Sequence, residues 1–203
     1  MADERARALS SVSGWARSLA LSALLAFPSI AARADEAAAW AALRAGGHVV
    51  LIRHASTIPG IGDPPNFSLD DCSTQRTLSE AGRAESRRIG ERFRSEGVRV
   101  ERVFTSPWCR CRDTALEAFG KAEDWSPLGS FFENRGRAEE QTESVRKRIA
   151  SYSTRKPAGT IVMVTHQVNI SALTSQGVGM GDMVVVRPDG CCSLKVVGQI
   201  RIP

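Results

Sequence analysis

Short unbroken apolar runs alternate along this chain with amphipathic or polar stretches, a pattern that predicts strands set between helices. Residues 48–53 contain Val49, Val50, Leu51 and Ile52 in succession. A run without polar alternation suits a central strand buried on both faces. A second run, 160–165, is rich in β-branched residues, which favour strands, and VRVERVF at 98–104 predicts a third. Residues 36–45 are helix formers stopped by Gly46-Gly47. Ser79 is placed to cap a helix reaching about Gly97, with Leu78, Ala81, Ile89 and Phe93 as its buried stripe. Further helices are expected at 109–119, 141–155 and 168–176, and late strands at 183–187 and 193–201 around the turn Pro188-Asp189-Gly190. Two stretches read as irregular. One is 56–75, with Gly60, Gly62, Pro64, Pro65 and Asn66; the other is 123–137, with Trp125, Leu128, Phe131 and Phe132 as packing anchors. Loops as long as the first usually exist for function or are disordered. The alternation as a whole predicts an α/β fold, a three-layer α/β/α sandwich around a mostly parallel sheet.

The N-terminus departs from this pattern. Residues 18–32 (SLALSALLAFPSIAA) follow Arg17 and lead into Ala32-Arg33-Ala34 and Asp35-Glu36. That order is expected of a secretory signal peptide over 1–34, cleaved after Ala34, with the functional domain at 35–203 and a periplasmic or secreted location. An uncleaved N-terminal anchor is the competing reading. The leader carries four arginines and two acidic residues, so its removal would lower the formal charge from +5 to +3. A modest positive surface with no long basic run suits a local anion pocket better than nucleic acid. Export would favour disulfides among Cys72, Cys109, Cys111, Cys191 and Cys192. Five cannot all pair within one chain, and Cys72 with Cys109 or Cys111 would tie the long loop to the centre of the chain. The Cys-x-Cys and Cys-Cys spacings do not fit structural zinc sites.

The candidate chemistry lies at strand ends. Arg53 and His54 close the first strand, Arg110 follows the turn after VRVERVF, and His166 ends the 160–165 run. In an open α/β sheet the loops at the carboxyl ends of central strands form the ligand crevice, so these four residues can converge. A histidine nucleophile must present an unprotonated ring nitrogen. Neighbouring arginines disfavour the imidazolium and can clamp the equatorial oxygens of a transferring phosphoryl group. Arginine suits this work because its planar fork can hold two oxygens. His48, at the start of its strand, reads as a partly exposed structural residue.

With those residues in view, the chain resembles the histidine phosphatase (phosphoglycerate mutase-like) superfamily over most of 47–187. The resemblance rests on LIRHA at 51–55, TLSEAGRAES at 77–86, VFTSPWCRCRDTA at 103–115 and VMVTHQVNI at 162–170. The family's Arg-His-Gly signature falls on Arg53-His54, with Ala55 where glycine is commonest. Its second arginine falls on Arg110 and its second histidine on His166. The resemblance implies that His54 becomes phosphorylated and that water then releases phosphate. Arg53, Arg110 and His166 would form the pocket, and no metal or other cofactor would be needed. DPPNFSLDDCSTQRTLSEAG at 63–82 is similar to small exported bacterial members, including those acting on phosphorylated lipopolysaccharide core.

The leaving alkoxide needs a proton. The resemblance places that acid at Glu133, with Asp63 and Asp70 as alternatives; the His-Asp pair of larger acid phosphatases is His166-Gln167 here. The expected function is hydrolysis of a phosphate monoester. The alternatives are an inactive phosphate- or phosphosugar-binding protein and a phosphomutase. The expected partner is a phosphorylated small molecule or lipopolysaccharide-core phosphate, with peripheral membrane association open and nucleic acid not expected. Oligomeric state is left open.

Overall fold

The computed structural model describes residues 30–155, 157–190 and 193–202. Most of the expected leader, and both Cys191 and Cys192, lie outside the described residues. Six strands form one sheet: β1 (Val49–Arg53), β2 (Val100–Thr105), β3 (Glu123–Asp124), β4 (Thr160–Thr165), β5 (Met183–Asp189) and β6 (Ser193–Ile200), in the order β3-β2-β4-β1-β5-β6. The pairs β3/β2, β2/β4 and β4/β1 are parallel, and β1/β5 and β5/β6 are antiparallel. The sheet is therefore mostly parallel, as expected. The unbroken apolar runs sit at its centre, where every residue of β4 and the first four of β1 are buried.

Helices cover both faces. On one side α1 (Ile30–Ala45), α2 (Glu80–Ser95) and α3 (Cys109–Phe119) bury Trp40, Leu43, Ile89, Phe93 and Ala115 against Val50, Ile52, Val162 and Val164. On the other, α4 (Ala138–Arg155) and α5 (Gln167–Thr174) bury Val145, Ile149, Ile170 and Leu173 against Val49, Leu51, Ile161 and Met163. The alternation of faces along each strand divides these residues between the two cores. Helix α1 runs through the expected boundary between Ala34 and Asp35, beginning earlier than the helix predicted at 36–45.

Ser79 caps α2 as expected, its hydroxyl accepting from the Gly82 amide at 3.1 Å. The buried stripe of that helix differs from the one read in the sequence. Ala81 is exposed, and Gly82, Ser86, Ile89, Gly90 and Phe93 face inward. Backbone proximity is the reason: a Cβ on Gly82 would collide with the Ser56 carbonyl, and one on Gly90 with the Ala118 carbonyl. The helix uses its smallest residues to approach the loop after β1 and the end of α3. Phe132, expected as a packing anchor, is instead 48% exposed, while Leu128 and Phe131 are buried.

Gly90→Ala should therefore force α2 and α3 apart and destabilise the fold by about 1–3 kcal/mol, as overpacking does. Denaturant unfolding measures this; an unchanged midpoint would mean that the two helices do not pack so closely.

Candidate active site

Strand register assembles the site. Arg53 pairs with Thr165 across β1 and β4, and Thr105 of β2 lies opposite Val164. The next residue on each strand, His54, His166 and Ser106, therefore emerges at one edge of the sheet. The ladder continues one step further, with the His54 amide donating to the Thr165 carbonyl at 2.9 Å and the Ser106 amide to Val164 at 2.9 Å. The two imidazole centroids lie 5.5 Å apart. Helix α3 begins just beyond Ser106 and Pro107, which puts Arg110 in its first turn, 4% exposed. The same turn secures the loop after His54: Thr114 accepts from the Ala55 amide at 3.0 Å and donates to the Arg110 carbonyl at 2.7 Å.

The His54 ring has a defined tautomer. Its Nδ1 lies 2.9 Å from the Ala55 carbonyl, an oxygen that can only accept, so Nδ1 carries the proton and Nε2 keeps its lone pair. Burial lowers the His54 pKa to about 3, aided by the charges of Arg110, Arg53 and Arg76 and opposed by the Ala55 carbonyl. His166 is likewise held neutral, by burial and by Arg110. Its Nε2 is 2.8 Å from the Ser106 hydroxyl, which also accepts from the Trp108 amide at 3.3 Å. The Trp108 ring stands edge-on against His166 at 5.4 Å.

Three guanidiniums surround these rings. Arg53 donates to Gln167 at 3.1 Å and to the Val178 carbonyl at 2.8 Å. Arg110 donates through Nη1 to Asp63 at 2.7 Å. The third is Arg76, whose charge bears on Arg53 and both histidines; the sequence analysis did not single it out. Arg76 is the one cation in the stretch from Ala55 to Leu78, and that isolation was the available signal. The Nε atoms of Arg53, Arg76 and Arg110 are all buried without a hydrogen-bond partner. Three orphaned donors on neighbouring cations form a site for an oxyanion, since buried donors are ordinarily satisfied.

Asp63 serves this cluster as a bracing carboxylate. Oδ1 accepts from Arg110 and from the Arg76 amide at 3.0 Å, and Oδ2 from the Trp108 indole at 3.0 Å. Burial alone would raise its pKa, but the Arg110 hydrogen bond and charge, the Arg76 amide and Trp108 hold it below the usual carboxylate range. A carboxylate so held is poorly suited to donate a proton. Because it grips Nη1, the Nε–Nη2 edge of Arg110 is left for an anion. Of the other expected acids, Asp70 is exposed. Glu133 is exposed beside Gly62, where an added Cβ would sit 3.1 Å from its Oε1. It stands outside the buried cluster, one residue of loop away from Asp63.

A disulfide joins Cys72 to Cys109, linking the loop that carries Arg76 to the helix start that carries Arg110. Gln75 strengthens the link by accepting from the Cys109 amide at 3.0 Å. Cys111 is free and fully buried 3.5 Å from His166 Nε2; burial pushes its thiol up to about 12, so it is no nucleophile. Asp182 ties the last loop down, accepting from the Gly179 amide at 2.7 Å through its side chain and from the Arg53 amide at 3.1 Å through its carbonyl. Among the described residues no cluster of three or more side chains is arranged to hold a metal.

With this geometry in place, comparisons with known proteins become informative. The family described as "Histidine phosphatase superfamily (branch 1)" matches residues 49–153. No curated protein matches the chain. Among solved structures, the chain is similar to the protein histidine phosphatase SixA complexed with tungstate, at 17% identity and a TM-score of 0.57, over 75% of this chain and 96% of that one. It is also similar to a candidate α-ribazole-5′-P phosphatase from Escherichia coli K-12, at 14% identity and a TM-score of 0.54, over 74% and 94%. At these identities the likeness is one of fold.

Folded His54 stays neutral down to about pH 3, whereas an unfolded chain takes up this proton near pH 6.5. Stability should therefore fall as pH drops from about 6.5 towards 3, by roughly 1.4 kcal/mol per pH unit from this ring. His54→Asn removes that contribution, so its unfolding free energy should decline less steeply with acid than the wild type. Parallel pH profiles would contradict the buried neutral ring.

Proposed function

The chain belongs to the histidine phosphatase superfamily, and from that premise we propose that it hydrolyses a phosphate monoester through a phosphohistidine on His54. The observation that carries this reading is the His54 tautomer. Its Nδ1 proton is bound to the Ala55 carbonyl, which leaves Nε2 its lone pair, and the charges of Arg110, Arg53 and Arg76, whose Nε donors are buried and unsatisfied, bear on the same ring. A phosphate dianion is the tetrahedral counterpart of that donor set, and the SixA structure carries tungstate, a comparable oxyanion.

In the first step Nε2 attacks phosphorus and the bond to the ester oxygen breaks. Arg53, Arg76 and Arg110 hold the three equatorial oxygens as their charge redistributes. His166 Nδ1 can donate to the same group when the Ser106 hydroxyl hydrogen points at Nε2. Glu133 is the proposed donor to the departing alkoxide. It stands at the mouth, whereas Asp63 is committed to bracing Arg110. In the second step water attacks phosphorus, the P–N bond breaks, and Glu133 takes the water's proton; inorganic phosphate leaves. We further propose that the leader at 1–34 exports the domain, where the Cys72–Cys109 bond would persist.

His54→Ala should lower kcat by on the order of 10³-fold or more. Arg110→Lys, which keeps the charge but loses the two-pronged edge, should lower kcat/KM by about 10²-fold. Steady-state assays on a simple aryl phosphate test both. Undiminished turnover in His54→Ala, with folding confirmed by circular dichroism, would overturn the nucleophile.

A further inference from the structure

Five large hydrophobic side chains are exposed among the described residues: Ile58, Ile61, Leu116, Phe132 and Met180. Ile58 and Ile61 stand on the loop that carries Asp63 and Arg76, Met180 on the loop whose Val178 carbonyl accepts from Arg53, and Phe132 on the loop of Glu133; Leu116 lies further along α3. Ile61 is 91% exposed; it follows Gly60, whose carbonyl accepts from Arg76 at 2.6 Å, and lies two residues before Asp63, which braces Arg110. The Ile58 amide donates to the Thr77 carbonyl at 3.2 Å, next to Arg76. Met180 is followed by Gly181, whose amide donates to the His54 carbonyl at 3.2 Å. Phe132 precedes Glu133, which reaches Gly62. Each exposed side chain is thus within two residues of a group that touches the pocket. The loops are also joined to one another, as where the Thr57 hydroxyl meets the Met180 sulfur at 3.8 Å.

These loops are held by hydrogen bonds to the site, so their apolar tips are presented to solvent by construction. Apolar surface gathered at the mouth of a polar pocket marks a ligand-binding rim. The polar groups nearby are already engaged: Glu85 with the Ser56 amide at 2.8 Å, Asp63 with Arg110, Arg76 with Gly60. What Ile58, Ile61, Phe132 and Met180 offer a ligand is apolar surface. Glu133, Asn134 and Arg135 follow Phe132 as exposed polar residues on its loop, and the Arg135 guanidinium lies 5.7 Å from the Phe132 ring.

Resting on the phosphatase reading above, we infer that the substrate is the phosphate monoester of an apolar alcohol. Its phosphate is anchored by Arg53, Arg76 and Arg110, and its hydrocarbon lies across Ile58, Ile61, Phe132 and Met180. The occupant is a single amphiphilic molecule entering from solution.

A series of n-alkyl phosphates from ethyl to octyl, kept below their micellar concentrations, tests this. The leaving alcohols are nearly equal in basicity, so chain length changes binding and leaves the chemistry constant. kcat/KM should rise about two- to fourfold per methylene over the first several carbons, the range for partial to full burial of a CH₂. Ile61→Ser with Phe132→Ser should flatten that slope, read as the ratio of octyl to ethyl phosphate kcat/KM within the same variant. A flat series in the wild type, with ethyl phosphate hydrolysed, would overturn the inference and spare the phosphatase. An undiminished slope in the double variant would also overturn it, as would a slope seen only with phosphatidylcholine vesicles present, which would indicate a membrane-docking surface. Failure to hydrolyse any ester in the series would remove the phosphatase reading and this inference with it.

Discussion

Arg53, Arg76 and Arg110 bring three positive charges into one pocket, where Asp63 is buried against Arg110 and the charge of Asp182 bears on Arg53. Like charges in a partly desolvated space repel strongly, so such a cluster persists only where the scaffold holds it against that repulsion. The restraints are visible. Asp63 grips Arg110 and meets the Arg76 backbone; Gln167 and the Val178 carbonyl hold Arg53; the Cys72–Cys109 bond and Gln75 join the loop of Arg76 to the helix of Arg110. The repulsion that remains is the attraction available to an incoming anion. Burial, aided by the same field, keeps both imidazoles neutral, which leaves the proposed nucleophile with its lone pair.

Position follows from the sheet. Parallel pairing of β1 with β4, and of β4 with β2, brings three strand ends to one edge, and the residue after each end is polar. The chain then turns sharply under close backbone contact. Ser79 donates to the Ser56 carbonyl through both its amide and its hydroxyl, at 3.0 and 3.2 Å, and Gly82 leaves room for that carbonyl. Gly181 plays a similar part on the opposite side: its φ of 75° and the nearby Glu85 carboxylate leave no space for a side chain. The loops after β1 and before β5 are thus fastened where they pass Arg53 and His54.

Much of this was legible in the sequence because its cause is local. Unbroken apolar runs are diagnostic of buried strands, and β1 and β4 lie where those runs lie. Ser79 announced its cap, and Cys109–Phe119 matches the predicted helix. Arg53, His54, Arg110 and His166 converge because parallel strands align their carboxyl ends. What was not legible depends on tertiary approach. Ala81 faces solvent because Gly82 and Gly90 must meet other backbones. Phe132 is exposed while its neighbour Phe131 takes the buried position, a choice that only the packed structure makes. Asp63 reads as one acid among several on an irregular loop until Arg110, Arg76 and Trp108 are seen to close on it. Arg76 went unnoticed because no strand end marks it; a loop and a disulfide bring it in.

In the proposed reaction one hydrogen bond, from His54 Nδ1 to the Ala55 carbonyl, decides which nitrogen attacks. Rapid quenching in base during turnover of a labile phosphate ester, followed by phosphorus NMR of the digested protein, identifies both the residue and the ring nitrogen that carry phosphate. The structure predicts phosphate on Nε2 of His54. Phosphate on Nδ1, or on His166 in place of His54, would contradict it.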